Sequence, residues 1–261
     1  MAEGEEMPCD LVIHTGNILN MNEVKMKAGQ NTTQELLESL KYVINGFTDS
    51  SVELDNGELV INKVGDYKSL KLDSHEDRRD VKVSVKIFIR QYNGETIRRA
   101  LDQGFQALNT PIIESVVLAL PADNPIPVPD LHEVWKVMEE FVNEKKVISI
   151  GVSDIETDAF IELYNWTKVK PGIVQINLAH CCVVPPPLQA FTREHSIQLL
   201  THSDPTDILP DDLLEETTKE LDRPLTKYMA KRSLLWATRY HIHIKCRGVL
   251  TSKGYILCLK K

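Results

Sequence analysis

The stretch EKKVISIGVSDIETDAFIELYNWTKVKP, Glu144 to Pro171, followed by VQINLAHCCVVPPPL, Val174 to Leu188, decides the fold. Its run from Val147 to Val152 is β-branched and nearly continuous, as a strand buried on both faces requires. That strand ends in Gly151-Val152-Ser153. A helix begins near Thr157, with Phe160, Ile161 and Tyr164 on its inward side. The next strand opens at Val174-Gln175, and the prolines at 185–187 end it and start another helix that buries Leu188 and Phe191. Strand and helix alternating in this way make a mostly parallel sheet covered by helices.

Working outward, the same alternation predicts strands at 11–14, 59–62, 81–89, 115–120, 147–152, 173–178, 197–201 and 241–246. Thr32 with Glu35 reads as a capping box, ahead of an apolar face of Leu36, Leu40, Val43 and Phe47. Thr96 and Asp130 read as the starts of two further helices, burying Ile97, Leu101, Phe105 and Leu108, and Leu131, Val134, Met138 and Phe141. Eight strands in 261 residues fit one (β/α)₈ TIM barrel, whose usual length is ~250 residues. The expected organisation is therefore a single domain over 1–261, with residues 1–10 a flexible tail. Two places depart from the pattern. Residues 48–80 are polar and make a degenerate second unit. RGVLTSKGYILCLKK, Arg247 to Lys261, leaves no room for a full closing helix and reads as a turn and a short extra strand. Pro205 to Pro224 reads as an acidic insertion carrying one surface helix.

Composition excludes several classes. No run reaches the ~18 apolar residues of a membrane span. The polar, acidic segment Met1–Cys9 lacks the apolar centre of a signal peptide. Five cysteines without framework spacing point to a reducing compartment, so the cytoplasm is the expected location. A net charge of −8, from 38 acids and 30 bases, argues against a nucleic-acid partner. Against that acidic background, Arg239 to Lys261 holds six Lys or Arg and no Asp or Glu. It is either a solvated end or a docking surface for an acidic protein, with Lys245, Arg247 and Lys253 as its contact residues.

The paired units around Glu144–Leu188 resemble the fifth and sixth β/α units of the aldo-keto reductases, barrels that reduce carbonyls with a nicotinamide cofactor. That resemblance implies a catalytic Tyr assisted by Lys, Asp and His at the carboxyl ends of the strands. DVKVSVK, Asp80 to Lys86, places Lys86 where the family has its Lys. SVVLALP, Ser115 to Pro121, places Leu120 where the family has its His, and a leucine neither donates a hydrogen bond nor carries charge. The Asp/Tyr motif of the second unit is missing, although Tyr67 or Tyr92 would revive it by reaching Lys86. Lys86 is thus read as vestigial, and no catalytic residue is expected. Ser153, Asp154 and Gln175 fall where the family holds its nicotinamide carboxamide. They serve equally as a helix start and a barrel-lining residue. The phosphate-binding stretch after the last strand is replaced by IKCRGVLTSKGY, so no cofactor is expected.

Two constellations stand outside that frame. Cys181 and Cys182 are adjacent and point opposite ways on an extended segment; at least one reads as a structural buried thiol, and the alternative for either is a redox-responsive thiol. His241 and His243 share a strand face, but no third ligand has sensible spacing, so no metal is expected.

The strings LVIHTGNILN, DVKVSVKIFI, QINLAHCCVVPP, IQLLTHSDP and RGVLTSKGYIL resemble one non-enzymatic branch of this superfamily, the regulatory (modifier) subunits of glutamate–cysteine ligase. The resemblance runs from about residue 11 to the C-terminus, with 48–80 and 206–235 poorly matched. It implies a regulatory, non-catalytic chain that pairs with the catalytic ligase subunit, raises its glutamate affinity and reduces feedback inhibition by glutathione. The alternative is an NADPH-dependent reductase of small carbonyl compounds.

Overall fold

A computed structural model describes residues 10–25, 31–48, 52–55, 58–61, 75–177, 183–221 and 223–261. Apolar runs flanked by amphipathic ones set up its parallel half. Strands β4 (Val81–Ile89), β5 (Ile113–Ala119), β6 (Val147–Ser153), β7 (Ile173–Asn177) and β8 (Gln198–His202) pair in parallel, each with the next. On β4, Val83, Val85, Ile87 and Ile89 pack into one core cluster with the helices, while Lys86 takes the other face, as a period of two demands.

The helices complete these units. Taking the helices in chain order, α1 is Asn22–Lys25, α2 Thr32–Asn45, α3 His75–Asp80, α4 Gly94–Leu108, α5 His132–Asn143, α6 Thr157–Trp166 and α7 Pro186–Glu194. Helix α2 is capped one residue earlier than expected, by Asn31. Asn31 accepts from the Gln34 N–H and Gln34 returns a bond to the Asn31 N–H, a capping box that Thr32 and Glu35 do not make. Helix α4 is likewise capped by Asn93, with Thr96 as the donor. The apolar stripes of α4 and α5 lie against the parallel strands, with Phe105 and Phe141 stacked between them at 5.8 Å.

The other half is mixed. The ten-strand order is β2-β3-β1-β10-β9-β4-β5-β6-β7-β8, with β1 (Leu11–His14), β2 (Val52–Asp55), β3 (Glu58–Ile61), β9 (Ser233–Ile244) and β10 (Val249–Lys260). Here β1 pairs parallel with β3, whereas β10 pairs antiparallel with β1 and β9, and β9 antiparallel with β4. The α/β class of aldo-keto reductase type stands, as does the missing closing helix. The six-residue strand expected at 241–246 is instead twelve residues long and begins at Ser233, and the short extra strand is also twelve residues. Each length is set by its long antiparallel partner, which period and apolarity within one segment do not reveal. A four-residue turn, Lys245–Gly248, joins them. Its Gly248 takes φ +62°, and the Gly248 N–H bonds to Ile244 O at 2.8 Å.

A second core cluster fills this half: Leu11, Ile13, Leu257 and Leu259 meet Leu36, Leu40 and Val43 of α2. The acidic insertion carries its one expected helix, α8 (Asp211–Leu221), and a further short helix, α9 (Pro224–Met229), follows it; Leu214, Leu225 and Met229 join the same cluster. At Gly254 a Cβ would lie 2.2 Å from Gly16 O. The bare backbone there lets the Tyr240 hydroxyl donate to Gly16 O at 2.9 Å. The second unit is a short β2–β3 hairpin. Residues 62–74 and, but for Asp10, the expected tail lie outside the described residues.

Candidate functional site at the strand ends

Register places Lys86 of β4 directly opposite Arg239 of β9, both on the face opposite α4 and α5. Like charges opposite one another in a sheet repel, and here Lys86 is buried and Arg239 is only 12% exposed. What holds them is Asp204, two residues past β8. Its Oδ2 lies 2.9 Å from Lys86 Nζ, and Arg239 donates to both carboxylate oxygens, at 2.5 and 2.9 Å. Thr32, at the start of α2, donates to Oδ1 at 2.9 Å, and Asn177 of β7 donates to the Asp204 carbonyl at 2.7 Å. Side chains from β4, β9 and α2 therefore converge on one carboxylate, and β7 holds the backbone of the residue that carries it.

The electrostatics follow from that convergence. Burial pushes the Lys86 ammonium below its ordinary pKa, and Asp204 opposes the push without cancelling it. Burial alone would raise Asp204. The hydrogen bonds from His202 and Arg239, with the charges of Arg239 and Lys86, instead hold it far below the usual carboxylate range. Arg239 is disfavoured by burial but raised overall by Asp204. A neighbouring pair extends the network. His202 Nδ1 accepts the Asp204 N–H at 3.1 Å, which leaves Nε2 to donate to Asp154 at 3.0 Å in the neutral ring. Burial lowers the His202 pKa, and the two flanking carboxylates raise it above the ordinary histidine value.

Lys86 is thus a sealed structural cation. Its second bond, 3.1 Å to Gln175 Oε1, also engages the amide that a nicotinamide would need. Ser153 is fully buried, and its Oγ has no hydrogen-bond partner among the described residues. Asp154 stands at φ +62°, a left-handed position that suits Asp or Asn. After β9 the chain turns straight into β10, so no helix N-terminus follows to receive a phosphate. The residues present do not fit a nicotinamide dinucleotide.

Beside the cluster lies a cavity of about 470 Å³. Leu120 sits on its wall at the end of β5, where its side chain supplies only apolar surface. Tyr92 lines the same cavity. Burial raises its phenol well above the ordinary value, and no hydrogen bond joins it to Lys86 among the described residues. Tyr67, Cys181 and Cys182 lie outside the described residues.

The basic segment divides. Arg239 is consumed by Asp204. Lys253 is held 2.7 Å from Glu35, which also accepts from Tyr255. Sequence distance hid that acid, so the expectation of an unneutralised charge at Lys253 is corrected. Lys245 and Arg247 stay exposed in the β9–β10 turn, with Lys245 reaching Arg79 O at 3.0 Å and Glu114 at 3.5 Å. His241 and His243 meet ring to edge at 5.9 Å. His241 is pushed down to about 3, by burial first and then by Arg239 and Lys253. A grouping that sequence did not suggest, Asp10, Glu58 and Cys258, surrounds the Arg99 guanidinium, which bonds to all three and already supplies the cation.

The parts that sequence reasoning missed, Asp204 and Arg239, were both signalled. THSDP places Asp204 just beyond a strand end, where barrel sites form, and two-residue parity puts Arg239 on the face of His241.

The sequence model of the aldo/keto reductase family matches residues 62–205. The human glutamate–cysteine ligase regulatory subunit is 32% identical over 96% of this chain and 93% of its own length, and the Bos taurus one is 33% identical over the same shares. Among solved structures, an aldo/keto reductase from Brucella melitensis is 24% identical, covering 52% of this chain and 50% of its own, with a TM-score of 0.40. The chain belongs to the aldo/keto reductase family and, within it, to the glutamate–cysteine ligase regulatory subunits.

Proposed function

We propose that this chain is a non-catalytic regulatory subunit. In this reading it binds the catalytic subunit of glutamate–cysteine ligase as a heterodimer in the cytoplasm, raises its glutamate affinity and weakens feedback inhibition by glutathione. The observation that carries the proposal is the near full-length match to regulatory subunits of that ligase. The state of Lys86 supports it. A lysine paired to a buried Asp204 and a glutamine does not tune a proton donor, and Leu120 provides nothing to polarise a carbonyl.

A regulator shifts its partner only by contacting the competent state better than the others. The exposed turn carrying Lys245 and Arg247 is the proposed contact, since its charge faces solvent and suits an acidic partner surface. Lys253 is not part of it. The test is to titrate glutamate into the catalytic subunit with and without this chain, at fixed cysteine and ATP. The half-saturating glutamate concentration should fall when the chain is added, and more glutathione should be needed for half-inhibition. Identical curves would overturn the proposal.

A further inference from the structure

The exposed β9–β10 turn is one corner of a larger surface at the amino ends of the parallel strands, the far end of the sheet from Asp204. Register builds the middle of that surface. Val249 of β10 pairs with Ile244 of β9, and Ile244 pairs with Val81 of β4. Arg78 donates to Val81 O at 3.0 Å and to Ile112 O at 2.6 Å, which draws the start of β5 alongside. The Ile113 N–H donates to Lys146 O at 2.8 Å, and two residues beyond Lys146 stands Ile148 of β6. One end of five neighbouring strands, β10-β9-β4-β5-β6, thus carries an aliphatic row. Parts of it stay in water: Ile148 is 63% exposed, Val249 50% and Ile112 36%. These are three of the six large apolar side chains exposed among the described residues, and apolar groups gathered at one place mark an interaction site where scattered ones do not.

Unpaired cations border the row. Arg79, Lys82 and Arg247 are exposed and have no acid partner among the described residues. Lys82 comes to the turn from β4, where it pairs with His243, so sequence distance again hid a neighbour. The acids close by are engaged, Glu114 by Arg78 at 2.8 Å and Lys245 at 3.5 Å, and Glu144 by Lys146 at 2.8 Å, with Asp80 left exposed.

We propose that this end of the sheet docks an acidic segment of the catalytic ligase subunit that carries an apolar stripe, with aliphatic side chains over Ile112, Ile148 and Val249 and carboxylates over Lys82, Lys245 and Arg247. The inference rests on the regulatory reading and extends its contact from a charged turn to a surface whose apolar row supplies affinity that salt does not screen. The row crosses four strand spacings, at most about 19 Å, which is the length of about 13 helical residues. A nucleic acid would use the cations and leave the aliphatic row in water, so the mixture favours a protein.

Calorimetric titration of the catalytic subunit with the full chain, at low and at high salt, tests it. Ile148→Ser with Val249→Ser should weaken association at least about tenfold at both salts, while the urea midpoint of the free chain stays in place because both side chains are already exposed. Lys82→Glu should weaken association about tenfold at low salt and little at high salt. Leu54→Ser removes a still more exposed aliphatic from β2, at the far edge of the sheet, and should change nothing. Wild-type affinity in the Ile148/Val249 variant, an equal loss with Leu54→Ser, or a Lys82→Glu chain that binds like wild type would overturn the docking surface and leave the regulatory reading standing. Absence of any association by the wild-type chain would overturn both. Duplex DNA binding that Lys82→Glu abolishes and Ile148→Ser spares would assign the surface to a polyanion and overturn the proposal.

Discussion

The parallel half of the sheet, β4 to β8, and the mixed half, β2-β3-β1-β10-β9, keep their charges in different ways. In the parallel half each strand is bracketed by helices, and its buried positions are mostly apolar, with Lys86 of β4 as a buried charge. The mixed half sets half-buried charge and imidazole on its strands, Arg239 and His241 on β9 and Lys253 on β10, and buries His14 at the end of β1. The two halves are hydrogen-bonded through β4 and β9, and at that seam Lys86 and Arg239 share Asp204. Lys86 and Arg239, bridged by Asp204, thus rivet the two halves together.

The largest expected effect breaks the rivet. Asp204→Asn leaves Lys86 and Arg239 buried side by side with no anion, and removing one partner from such a buried set costs about 3–5 kcal/mol. Urea unfolding at pH 7.5 should show that loss. A loss under about 1 kcal/mol would mean that water reaches the pair and that it is no rivet.

The next effect separates the halves by pH. Burial lowers His14 to about 4, against a weaker opposing bond from Gln103, and His241 lies at about 3. Both values are below the unfolded histidine pKa of about 6.5, so the unfolded chain binds more protons across that window. Their stability contribution is present above pH ~6.5 and is lost as pH falls toward 4 and then 3. It amounts to roughly 3 kcal/mol for His14 at about 1.36 kcal/mol per unit. Hydrogen exchange should then lose protection first in β1, β9 and β10, while β5 to β7 hold. Uniform loss across both halves would contradict the division.

The smallest effect on folding belongs to the turn. Lys245→Glu with Arg247→Glu touches exposed charge only, so stability should change by about 1 kcal/mol or less. A larger drop in the urea midpoint would show that the turn is part of the core.

The same comparison explains what the sequence disclosed. The five parallel strands and their helices were legible because burial on both faces leaves continuous apolar runs such as Val147–Val152. Strands β9 and β10 were legible only in part, as a strand at 241–246 and a short extra strand, since SLLWATRYHIHI interrupts its apolar run with arginine and histidines and its length comes from a partner outside the segment. Within the site, Lys86 and Leu120 were found because a family pattern pointed at them. Asp204 was missed although THSDP sets it just past a strand end, because the Lys86–Arg239 pairing that gives it a role comes from the β4–β9 register. Lys253 was misread for the same reason, as Glu35 stands 218 residues away in sequence.

The central claim is that the interior lysine holds the fold while the exterior acts on the partner. The direct measurement is the half-saturating glutamate concentration of the catalytic subunit in the presence of wild-type chain, Lys86→Met, or Lys245→Glu with Arg247→Glu. Lys86→Met, which leaves Asp204 with Arg239, should lower that concentration as wild type does. The turn variant should lose most of the effect, and wild type should lose it progressively as salt screens exposed charge. A Lys86→Met chain that folds but no longer activates, beside a turn variant that activates fully, would contradict the account.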